Sequence, residues 1–206
     1  MKKCYLLLSM PMLLFSCTND FDGSIQNQQE RPNVVSNMTT NSVSINLSQI
    51  VTQLVTTYKY VNAENSNTTL SQKIVMLEKV SAENINFKEI KPADFSLPTE
   101  AGAKKFLFNY DLEYNNLIVT QKTKTYYNSI LQYDINLNDL LYSINVDEQL
   151  SLNEKNLLIF TVNSLNDNSD NGDHHWKKKM IVAATLGFEK SSANAVFNVA
   201  LLKINN

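Results

Sequence analysis

The stretch Met180-Ile-Val-Ala-Ala-Thr-Leu-Gly-Phe188, continued across Glu189-Lys-Ser-Ser192 by Ala193-Asn-Ala-Val-Phe-Asn-Val-Ala-Leu-Leu-Lys-Ile204, decides the fold class of this chain. In its second half Ala193, Val196, Phe197, Ala200, Leu201 and Ile204 recur at spacings of three and four, the period of one helix face. Asn194, Asn198 and Lys203 fall on the other face and are expected toward solvent. The first half is apolar almost all round. A run of about nine such residues is too short to cross a bilayer, and a helix apolar on every side sits in a core. It therefore predicts a buried helix. Trp176 and Lys177, Lys178, Lys179 lead into it. Trp and Lys also cluster where a helix meets lipid headgroups, so docking of this end on a membrane or a partner is the competing expectation.

Upstream, the same period recurs. Leu47, Ile50, Val51, Leu54, Tyr58 and Val61 form one amphipathic stripe, and Leu70, Ile74, Leu77 and Val80 form a second after the polar break Asn65 to Asn67. Pro92 and Pro98 bracket a loop. A third stripe, Ala103, Phe106, Tyr110, Tyr114 and Leu117, opens near Thr99 and Glu100. Tyr127, Ile130, Leu131 and Asp134 begin a fourth element, and Leu137, Leu140, Leu141 and Ile144 make a fifth. Ser151 and Glu154 have capping-box spacing and predict a helix start that carries Leu158, Val162 and Leu165 inward. The expected fold is all-α, a single helical-bundle domain over residues 39–206. The alternative is α+β, because Val43, Ile45 and Leu47 alternate and Leu157 to Val162 is dense enough for a strand.

Asn163 to His175 is expected to be a solvated connector. Aligned as a calcium loop, it places Asp167, Ser169, Asn171 and Gly172 at the first, third, fifth and sixth positions, but Lys178 stands where a bidentate Glu belongs. His174 and His175 are adjacent, so a regular element points them apart, and no spacing predicts further zinc ligands. No metal site and no cofactor are expected. The chain contains no Gly-x-Ser-x-Gly elbow, and its four glycines form no phosphate-cradling loop, so no catalytic residue is named.

Met1 to Cys17 has a different logic. Lys2 and Lys3 precede an apolar run from Tyr5 to Phe15, and Leu14-Phe15-Ser16-Cys17 ends it. A short basic start, an apolar segment and a small residue before the cut have the physical profile of a secretory signal. With Cys17 after the small Ser16, this end resembles the lipobox of bacterial lipoproteins. The resemblance implies a diacylglyceryl thioether on Cys17, cleavage before it and an acylated amine. Residues 1–16 are then a signal peptide and 17–38 a lipidated tether. The other cysteine, Cys4, lies in the removed segment, so a mature chain starting at Cys17 would form no internal disulfide.

A single acyl chain binds a membrane only reversibly, whereas two or three hold permanently, at about 0.8 kcal/mol per buried methylene. Thr18 to Asn37 is polar, with too few apolar side chains to offset the cost of ordering, and such a tether reaches at most about 70 Å. Asp20 and Asp22 sit close behind the cysteine and resemble the acidic surface-export signals of Bacteroidota lipoproteins. Together with the Ser-x-x-Glu helix start and the Trp-Lys-Lys segment running into a small-residue helix, the whole outline resembles small lipoproteins of that group. The resemblance implies a location at the outer membrane, facing the periplasm or the cell exterior, and no activity.

Removing Met1–Ser16 takes two lysines with it and lowers the formal net charge from −2 to −4. One arginine and scattered lysines give no electrostatic footprint for nucleic acid. Asparagine occurs 28 times against that one arginine, which reflects an AT-rich coding bias more than a chemistry. The expected function is a membrane-anchored envelope lipoprotein acting as a non-enzymatic interaction module. Its expected partners are membrane lipid through Cys17 and an envelope or extracellular protein. The alternative is a tethered hydrolase of envelope or extracellular polymers, which requires a concave site lined by carboxylates or a histidine of displaced pKa.

Overall fold

Asn46, Thr69, Asn84, Thr99, Thr120, Asn136, Asp173 and Ser191 each sit one residue before a helix and accept from its first free backbone N–H groups. This side-chain chemistry sets the element order in the computed structural model, which describes residues 46–63, 68–132, 136–166 and 173–206. The helices are α1 Leu47–Val61, α2 Leu70–Glu83, α3 Ile85–Ile90, α4 Glu100–Leu107, α5 Tyr110–Asn116, α6 Gln121–Leu131, α7 Leu137–Val146, α8 Leu152–Asn166, α9 His174–Phe188 and α10 Ser192–Lys203. Among the described residues there is no strand, so the fold is all-α. Leu157 to Val162, the candidate strand, lies within α8. Val43 and Ile45 fall outside the described residues.

The α9–α10 hairpin is the centre of the domain. α9 packs on α4, α5, α6, α8 and α10, while α10 packs on α1, α2, α3, α4 and α9. Met180 to Thr185 are buried, as the apolar run predicts. Trp176 is only 3 % exposed and Lys177 is buried beside it, its Nζ donating to the Gln132 carbonyl at 2.7 Å. The tryptophan that suits a headgroup layer thus faces the core. Tyr127, also buried, donates to Thr185 Oγ1 at 2.7 Å, since the threonine hydroxyl itself donates to the Ile181 carbonyl.

The ends of α9 and α10 meet at Gly187. A Cβ there would lie 2.2 Å from Ala195 Cα and 2.5 Å from Ala195 N, so only hydrogen at this position lets the two backbones approach so closely. With neighbours on every side, α10 has no solvent face. Asn194, Asn198 and Lys203, expected outside, are buried.

Other stripes hold with local differences. Ile50, Val51, Leu54 and Tyr58 are buried, but Val61 at the end of α1 is exposed. The third stripe is two helices. The N–H groups of Phe108 and Asn109 both donate to the Lys104 carbonyl, which widens the turn and ends α4. Phe108 is left 67 % exposed, and α5 swings onto α9, where Tyr110 meets His175 and Asp111 meets Lys178. α6 begins six residues before Tyr127, because its first turn is polar and shows no apolar period. Asp134 lies outside the described residues. The described residues, 46 onward, fall within one compact unit, to which the ten helices named above belong.

Candidate functional site

Cys17 lies outside the described residues, as does the centre of the tested calcium loop. The flanks of that loop are helical: Asn163 belongs to α8, and His174 and His175 open α9, so the connector is shorter than its composition suggests. Lys178, at the twelfth loop position, donates to Asp111 Oδ1 at 2.7 Å. The two imidazoles meet edge to face, 6.3 Å between centroids. His175 Nδ1 lies 3.0 Å from the Tyr110 hydroxyl. Among the described residues no three His, Cys, Asp or Glu side chains converge as a metal site would require.

Among the described residues, Glu154 has both carboxylate oxygens engaged by several donors. Its Oε2 accepts from the Ser151 N–H at 2.9 Å and the Ser151 hydroxyl at 2.7 Å, while Glu154 N donates to Ser151 Oγ at 3.3 Å. This is the expected capping box. The sequence did not show the other half of the arrangement: Oε1 accepts from the hydroxyls of Thr120 and Thr123, the latter at 2.9 Å. Thr120 caps α6, so one carboxylate sits at the positive ends of two helices. Its donors, Thr120 first, hold its pKa down to about 2 from the usual 4.5. Asp147 is likewise held to about 2, chiefly by Lys122 and then Tyr126, whose own hydroxyl burial and this carboxylate push up to about 12.

A carboxyl that protonates a leaving group needs a raised pKa. Glu154 is shifted the opposite way and stays ionised at neutral pH. Its contribution to stability has a definite sign. Because the folded pKa is the lower one, the stabilisation is complete above about 4.5 and is lost as the pH falls toward about 2. For this partly exposed group it amounts to about 2 kcal/mol. Glu154→Gln is therefore expected to unfold more easily than wild type at pH 7 by that order. The gap should shrink to near zero by about pH 2 in urea titrations run across the range. A gap independent of pH would assign the loss to geometry and not to charge.

Two adjoining depressions run along α8 and share Asn156 and Ser192. The larger, about 560 Å³, lies between α8 and the start of α1, with Asn46, Asn145, Asn163 and Phe160 in its lining. The smaller, about 360 Å³, adds Glu154, Phe188 and Ile118, the last 92 % exposed. Phe160 and Phe188, one in each lining, meet edge to face at 5.5 Å. Amides and hydroxyls around an aromatic pair can hydrogen-bond an uncharged polar chain while its apolar groups cover the rings. Periodicity could not find this groove, since its residues come from α1, α7, α8 and the segments around residues 118 and 188–192. No family model matches the chain, and no curated protein or solved structure matches it either.

Proposed function

We propose that the protein is a lipid-anchored envelope lipoprotein of the outer membrane whose helical domain acts as a non-enzymatic interaction module. The observation that carries this reading is Leu14-Phe15-Ser16-Cys17 at the end of a basic-then-apolar stretch, with a polar spacer of some 20 residues before the helical unit. Acyl chains on Cys17 hold the chain at the lipid surface, and the spacer lets the domain stand clear of the headgroups. Among the described residues no helix is long and apolar enough to cross a membrane, so they supply no helical span to compete with the acyl anchor. The groove along α8 is the contact surface, and its amide and hydroxyl lining suits a polar envelope or extracellular protein partner.

Growth of expressing cells with a palmitate analogue tests the anchor. Wild-type protein is expected to take up the label and sediment with membranes, and Cys17→Ala to do neither. Equal labelling of the two would remove the anchor and the location with it.

A further inference from the structure

We propose that the larger depression along α8 is the docking site of the chain's own segment Ser42–Ile45, laid across it in extended form. The covalent chain arrives there, because Asn46, Leu47 and Ser48, the first of the described residues, belong to its lining. α1 packs on α8, so the four residues before Asn46 start at the edge of the depression and reach about 13 Å from it. Attachment at that point gives the segment an effective concentration in the millimolar range, which a free peptide or a second copy of the chain does not match. Proximity selects the occupant.

The chemistry of the two sides agrees. None of the described lining residues is charged, and the sequence carries no charge from Pro32 to Tyr58, so neither side would bury an unpaired ion. Val43 and Ile45 alternate with Ser42 and Ser44, and an extended chain places both apolar side chains on one face. Leu47, Ile159 and Phe160 offer apolar surface to that face. Asn156 and Asn163 stand two turns apart on α8, about 10.5 Å along its axis, which matches about three residues of extended backbone. Asn156 is exposed and Asn163 half-buried, and among the described residues neither side-chain amide has a hydrogen-bond partner. Each can offer an N–H and a C=O to a peptide group of the segment. The alternation that suggests a strand in the sequence thus has a surface to lie on. An outside partner reaches this part of the groove by displacing Ser42–Ile45, whereas the smaller depression beside Glu154 and Phe188 stays open. That consequence rests on the proposed use of the groove as a contact surface; the docking itself does not.

Nuclear Overhauser spectroscopy on the full-length protein, with its Val and Ile methyl groups labelled, tests the assignment. Cross-peaks are expected from the Val43 and Ile45 methyl protons to the Phe160 ring or the Ile159 side chain. Amide exchange at Ser44 should be about tenfold slower than in an open chain. The double variant Asn156→Ala, Asn163→Ala puts the best helix former at both positions, so it should keep the wild-type unfolding temperature while losing the cross-peaks and the slowed exchange. A mixture of labelled and unlabelled protein separates contacts within one chain from contacts between copies. Absence of the cross-peaks, or their appearance only between different chains, would overturn the proposal, the latter assigning the groove to a second copy. Cross-peaks undiminished in the double variant would overturn the pairing with the two amides on which the extended register depends. None of these signals requires acylation of Cys17 or an outside partner, so failure here and failure of palmitate labelling are separate results.

Discussion

Replacing Gly187 by alanine is expected to lower the unfolding free energy by about 3 kcal/mol or more, a large effect for one methyl group. The added Cβ would stand 2.2 Å from Ala195 Cα and 2.8 Å from Asn194 C, and both are backbone atoms that cannot rotate away. Relief requires α9 and α10 to separate, which disturbs every helix packed on the hairpin. The ordinary preference of helices for alanine over glycine, worth about 1 kcal/mol in the opposite direction, is too small to compensate. Chemical denaturation of Gly187→Ala beside Gly102→Ala gives the comparison. At Gly102 the new Cβ meets only the Thr99 hydroxyl at 3.3 Å, so that variant should stay close to wild type. A mild effect at Gly187 would mean that the hairpin is not packed as closely as described.

Phe197→Ala should cost about 3–5 kcal/mol. The ring is fully buried on α10, and Phe95 from the loop after α3 meets it edge to face at 6.1 Å. Phe95 in turn meets Phe87 of α3 at 5.6 Å, and the Lys91 ammonium lies 5.0 Å from the Phe95 ring centre. Truncating Phe197 leaves a ring-sized void and frees the loop whose Ser96 carbonyl accepts from Asn194 Nδ2. A double-mutant cycle with Phe95→Ala is expected to show coupling of about 1 kcal/mol. Strict additivity would show that the two rings are neighbours without energetic contact.

The helical character of this chain was open to sequence reading because apolar spacing of three and four is a local property. Leu70 to Val80 and Leu137 to Ile144 lie in single helices, and Ser151 with Glu154 forms the box that its spacing predicts. The anchor proposed at Cys17 rests on a local pattern as well, a linear signal that needs no fold. Where the reading departed from the structure, the deciding contact came from elsewhere in the chain. The stripe from Ala103 to Leu117 is compatible with one helix, yet it breaks at Phe108 because α5 gains Tyr110–His175 and Asp111–Lys178 contacts by turning onto α9. Glu154 reads as a cap for α8 alone, and its second pair of donors lies about 30 residues away.

Sequence alone determined that this is a helical protein with a buried helix over the apolar run from Met180, because helix period and all-round apolarity are written in consecutive residues. Only the tertiary structure decided which polar groups are inside. An asparagine spaced like a solvent face looks the same in sequence whether water or a cavity wall meets it. Asn194 and Asn198 are buried because α1, α2, α3, α4 and α9 together surround α10, and that enclosure belongs to the assembly of helices and not to any one of them.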